Sequence, residues 1–147
     1  MKKIYLLLVF VILSSCQKKE LSNEFRDVIL EYQKKIPLPM NAEKYVYVVH
    51  FFRFENDTLF NLIRCSGISN HDSVSGIYQD KTLKPLIIID RDKLGKKIFY
   101  LKKLNKNISD YYRLQLKEDF PPLYRYKIKN NKFILINIDT ISDNWKK

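Results

Sequence analysis

Side chains able to do acid–base, nucleophilic or metal chemistry are few in this chain and lie far apart. The two histidines are His50 and His71, and Cys65 is the only cysteine besides Cys16. A turn at Asn56-Asp57 between two strand-like runs would pair Val48 with Cys65 and His50 with Ile63. His50 and Cys65 would then sit diagonally on one sheet face, about 7–8 Å apart. Two ligands fall short of the three or four that zinc takes from protein. His71 has no ligand-like spacing to either. The expected arrangement is a half-buried imidazole and a small buried thiol.

Other near-motifs fail on a specific residue. Asp90-Arg91-Asp92-Lys93-Leu94-Gly95 places Asp90, Asp92 and Gly95 where a calcium loop has its first two oxygen ligands and its glycine. Leu94 and Leu101 then occupy ligand positions, and leucine cannot bind calcium. Gly67-Ile68-Ser69-Asn70-His71 has histidine where a nucleophile elbow requires its second glycine. His71-Asp72-Ser73 are neighbours in sequence, whereas triad members converge through folding. Glu118-Asp119 is an acidic dipeptide without a cleft to give it work. No cofactor, metal site or catalytic set is expected, and the chain is not read as an enzyme.

The cations carry more information. Asn130-Asn131 between Tyr124–Lys129 and Lys132–Ile138 has the chemistry of a two-residue hairpin turn. Paired residues share a face, so Tyr124, Tyr126, Ile128, Phe133 and Leu135 should line one side. Arg125, Lys127, Lys129 and Lys132 should occupy the other, beside Ile134, Ile136 and Ile138. These four cations are the expected partner-binding residues. The competing reading is a solvated face whose lysine stems shield the isoleucines. The whole chain holds 27 Lys and Arg against 16 Asp and Glu, a formal charge of +11. Such a surplus attracts an acidic protein, an acidic glycan or anionic lipid headgroups. AT-rich codon usage would produce the same surplus through its abundance of Lys, Ile, Asn and Tyr.

Positioning these groups requires a sheet and one helix. Leu21, Phe25, Val28, Ile29, Tyr32 and Ile36 form one apolar stripe, which predicts a helix over Glu20–Ile36. Ser22 can cap it, and Pro37 and Pro39 stop it. Its polar face mixes Glu24, Asp27 and Glu31 with Arg26 and Lys34, so packing on a sheet is expected over lying in a membrane. Strands are predicted over Tyr45–Phe54, Thr58–Cys65, Ile77-Tyr78, Leu86–Asp90, Ile98–Leu101, Tyr124–Lys129 and Lys132–Ile138. Tyr111–Leu116, after a possible cap at Ser109, reads as a further strand. The fold class is therefore α+β, one N-terminal amphipathic helix on an antiparallel meander of about six or seven strands. In outline this resembles cystatin- and NTF2-like folds, an architectural analogy only, since such folds host many functions.

The first sixteen residues set the expected address. Lys2-Lys3 precede the apolar run Ile4–Leu13, which is too short for a bilayer core needing about 20 helical residues. Charge, short apolar run and small residues follow the layout of a cleaved export signal. Leu13-Ser14-Ser15-Cys16 resembles the lipobox of bacterial lipoproteins. The resemblance implies cleavage before Cys16, lipid attachment at Cys16 and an acylated amino terminus. Two or more acyl chains anchor stably, where one binds marginally. It divides the chain into a signal at 1–15, a lipidated tether at 16–20 and one domain at 21–147. Cleavage leaves 132 residues, with 25 Lys and Arg against 16 acids and a formal charge of +9. Gln17 in place of an inner-membrane retention aspartate implies the outer membrane, with the facing side open.

The sequence thus predicts a lipid-anchored envelope protein that binds without catalysis, its partners being the membrane through the anchor and an acidic surface. Nucleic acid is not expected for an exported chain. The alternatives are an immunity-type inhibitor of an envelope-targeted toxin, a small-ligand carrier and an unrecognised hydrolase. The carrier would use a hollow lined by Phe25, Tyr32, Phe51 and Phe60.

Overall fold

The architecture comes from a computed structural model that describes residues 22–40, 45–68, 74–78, 81–95, 98 and 121–140. Cys16 and the export segment, His71, Ser109, Tyr111–Leu116 and Glu118-Asp119 lie outside the described residues. No described helix is long and apolar enough to cross a membrane. The chain is α+β, with one helix and a six-stranded mixed sheet among the described residues.

Helix α1 spans Asn23–Lys35. The Ser22 hydroxyl accepts from the Phe25 N–H at 3.2 Å, satisfying one of the free donors at the helix start. Glu24 lies in the first turn and Lys34 and Lys35 in the last, each matched to the helix dipole. Phe25, Ile29 and Tyr32 are fully buried in one apolar cluster with Tyr47, Phe51, Phe60 and Tyr124.

The strands are β1 (Val46–Phe54), β2 (Asp57–Cys65), β3 (Val74–Tyr78), β4 (Leu86–Ile89), β5 (Leu123–Lys129) and β6 (Lys132–Asp139). Their order across the sheet is β3-β4-β1-β2-β5-β6. The expected all-antiparallel meander is corrected at one seam, because β4 pairs with β1 in parallel, Tyr47 with Leu86 through His50 with Ile89. The composition of β4 explains the placement. Leu86, Ile87, Ile88 and Ile89 are all buried, and such a run needs cover on both faces and a strand on each side. An edge position would leave it half wet. Ile98, predicted to open a strand, is a turn residue whose N–H donates to the Gly95 carbonyl.

Two apolar layers result. The first, described above, includes Leu62, Leu86 and Ile88. The second lies on the opposite sheet face and joins Val46, Val48, Ile68, Ile77, Ile87 and Ile89, with Cys65 packed against it. Alternate residues of β1 and β4 feed opposite layers, as a pleated strand demands.

The β1–β2 turn is Glu55-Asn56, one residue earlier than predicted, because Phe54 pairs with Asp57. Glu55 adopts the left-handed region at φ 53°. Asn56-Asp57 is the better turn dipeptide, yet the observed register sets Phe51 opposite Phe60 and Val49 opposite Leu62. The predicted register would set Val49 opposite Arg64. Core pairing wins over local turn preference. The β5–β6 turn is Asn130-Asn131, both residues at positive φ as a primed turn requires.

Candidate interaction surface

Arg125, Lys127, Lys129 and Lys132 all belong to the β5–β6 hairpin. Arg125 and Lys127 alternate with Tyr124 and Tyr126, which are buried, so the cations point away from the first layer. Each meets an acid from a neighbouring strand. Lys127 Nζ stands 2.6 Å from Asp57 Oδ2, and an Arg125 guanidinium nitrogen stands 3.4 Å from Asp139 Oδ2. Arg125 Nε also donates to Asn61 Oδ1 at 3.0 Å. Half-exposed pairs of this kind contribute about 0.2–1 kcal/mol each, so they orient the side chains more than they stabilise the sheet. They also spend two of the four expected binding charges within the molecule. Lys129 and Lys132 differ. They face each other directly across the turn, both exposed, with no ion pair among the described residues. Like charges so placed repel.

The expected row of isoleucines beside the cations is broken by a bulge. Tyr126 pairs with Leu135 but Arg125 pairs with Asn137, which leaves Ile136 without a partner on β5. Beyond it Ile138 stands opposite Tyr124, on the face away from Arg125, and Asn137 takes its place. Bulges insert one residue and reverse the alternation in this way. Turn chemistry alone could not reveal it.

Strand β6 is the feature that cation patterning missed. Among the described residues it is an edge strand, and Ile134, Leu135, Ile136 and Ile138 are 44, 42, 48 and 45% exposed. Of the apolar residues of β6, Phe133 is the one packed against the core, its ring centroid 5.5 Å from that of Phe25 and 5.8 Å from that of Phe60. An apolar run covering both alternation phases ordinarily belongs to a strand buried on both faces. Here the same pattern sits at the outermost position of the sheet formed by the described residues. That mismatch between composition and position was readable in Phe133–Ile138 once its place in the sheet was known.

The other expected groups do not come together. In the observed register Cys65 pairs with Val46, four residues along β1 from His50, roughly 13 Å at 3.3 Å per residue. The diagonal proximity expected of His50 and Cys65 is thereby corrected. His50 is exposed and lies beside Phe52, ring centroids 6.0 Å apart. Among the described residues no group of three His, Cys, Asp or Glu could hold a metal ion. Asp90 is buried, and its carboxylate accepts the N–H groups of Leu94 at 2.8 Å and Gly95 at 2.9 Å. Its oxygens close a turn.

The rings proposed to line a ligand hollow fill it themselves. Phe25 lies 5.5 Å from Phe60 and 6.0 Å from Phe51, and Phe51 lies 5.4 Å from Phe60, all between ring centroids. Tyr32 contacts Tyr124 edge-on at 5.0 Å, donates to the Pro122 carbonyl at 2.7 Å and accepts the Arg64 N–H at 3.1 Å. Burial raises the Tyr32 phenol well above its ordinary range. Burial, with smaller contributions from Glu31 and Tyr124, pushes Tyr126 up to about 12. Neutral, buried phenols suit a packing role. Comparison with protein-family models, with curated proteins and with solved structures finds no match for the chain.

Proposed function

We propose that this chain is a lipid-anchored protein of the bacterial outer membrane that works as a non-catalytic binding module. Lipid attachment at Cys16, within Leu13-Ser14-Ser15-Cys16, supplies the address. The observation that carries the binding role is the outermost place of β6 among the described strands, with four apolar side chains exposed on a strand whose composition asks for cover. Long, apolar, unprotected edges are rare in natural sheets because they recruit other strands. The partner this edge fits is an extended protein segment that adds a strand to β6, main-chain hydrogen bonds giving affinity and alternate side chains giving specificity. The basic balance of the chain, 27 Lys and Arg against 16 Asp and Glu, favours acidic residues in that segment. A helix packed on a sheet suits such a role without implying one chemistry.

The test is affinity capture with the intact lipidated protein from detergent-solubilised membranes of its native host. A specific partner should be retained, weakened by salt and lost when Ile136→Pro removes a main-chain donor from the open edge. Capture unaffected by Ile136→Pro, or no specific partner at all, overturns the reading.

A further inference from the structure

We infer that one end of the domain, the end bearing both hairpin tips, is a docking surface for anionic phospholipid headgroups, with Phe54 entering the membrane interface. The inference rests on the lipid anchor proposed at Cys16, and it adds which part of the domain meets the bilayer.

The placement follows from chain direction. Strand β5 is antiparallel to β2 and pairs Ile128 with Thr58, so the Glu55-Asn56 and Asn130-Asn131 turns project from the same end of the sheet. Helix α1 runs opposite to β1. Its first-turn Phe25 touches Phe51 and Phe133 near the tips, and Ile36 at its far end accepts the Tyr47 hydroxyl near the start of β1. Ser22, where the described chain enters the helix, therefore lies toward the tip end. Cys16 lies only six residue steps before Ser22, a reach of about 20 Å fully extended at 3.3–3.6 Å per residue.

That reach decides between the two ends. Both present chemistry that a headgroup layer accepts. The tip end exposes Phe54 at 60% together with Arg53, Lys129 and Lys132, offset by Glu55. The far end exposes Met40 at 95% together with Lys34, Lys35 and Lys84. Reaching the far end from Ser22 means passing the whole helix, about 20 Å at 1.5 Å per residue, and then Pro37–Met40. A tether of equal length has no slack for that. The tip end lies within easy reach, and an exposed aromatic side chain at the same end of the sheet as several cations is what a charged interface selects.

The test reconstitutes the intact lipidated protein into protein-free vesicles of phosphatidylethanolamine and phosphatidylglycerol. Nitroxide labels are placed at Phe54→Cys, Lys132→Cys or Met40→Cys in a Cys65→Ala background, and depth is read by power saturation with oxygen and a water-soluble nickel chelate. Labels at 54 and 132 should lose contact with the chelate several-fold relative to the label at 40. Equal contact at 54 and 40, or protection at 40 instead, overturns the inference while leaving the anchor intact. Protection at 54 that appears only in native membranes assigns this end to a protein and also overturns it. Intact mass spectrometry of the same sample reads the anchor separately. Absence of acyl mass on Cys16 sinks the lipoprotein reading and removes the reach argument with it. If Cys65→Ala does not fold, Phe54→Trp with Trp145→Phe reports the same depth through quenching by brominated lipids.

Discussion

The two edges of the sheet are built to opposite rules. Strand β3 is five residues long, carries Gly76, is bulged between Val74 and Gly76 against β4, and buries Ile77 and Tyr78. Ser75 ties it to the end of β4, its hydroxyl donating to the Asp90 carbonyl at 3.1 Å and accepting the Asp90 N–H at 3.1 Å. Short length is one of the usual means of blunting an edge. Strand β6 has eight residues, one bulge on its inner side and apolar side chains standing in water. Evolution of a monomer for solubility would treat both edges as β3 is treated. The difference is that β3 completes the packed fold, whereas β6 keeps apolar side chains exposed, as the proposed binding role requires.

That contrast can be broken by measurement. Phe60→Ala in the strand between the two edges should have the largest effect, about 3–5 kcal/mol by urea unfolding, because the ring is fully buried and touches Phe25, Phe51 and Tyr126. Ile77→Ala on the closed edge should cost about 2–4 kcal/mol. Alkali should act next. The Tyr126 phenol is held above its unfolded value near 10, so its stabilisation is complete below pH 10 and is lost as pH rises toward about 12. Thermal melts across that window, with absorbance at 295 nm following ionisation, should show stability falling as phenolate appears. Lys127→Ala should cost 1 kcal/mol or less, roughly, since its pair with Asp57 is half exposed. Ile136→Thr on the open edge should shift stability by no more than about 0.5 kcal/mol while weakening partner capture. A loss at Ile136 equal to that at Ile77 would erase the distinction between the edges.

Much of the fold was legible where local chemistry and burial agree. The helix, its Ser22 cap and the Asn130-Asn131 turn follow from periodicity and backbone preference within short windows. The β1–β2 register failed because a favourable dipeptide pointed one way and the pairing of Phe51 with Phe60 another. The parallel seam failed because nothing local announces that Leu86–Ile89 inserts beside β1 on the side away from β2. For the surface, the cations were identified by position, whereas the carboxylates that hold Arg125 and Lys127 arrive from other strands. The exposure of β6 was illegible for a related reason. A continuous apolar run gives no sign of whether cover comes from within the chain or from outside it.

The parallel seam also governs how the molecule assembles. Strand β1 finds β2 across a two-residue turn, within microseconds for an ordinary hairpin. Its other side must wait until a ribbon thirty-nine residues along the chain, counted from Tyr47 to Leu86, swings back and slots in. Closing that loop makes the step slow. In the interval Val46–His50 is bare on one flank, so nascent copies are most prone to stick together then, and chaperone protection is most valuable.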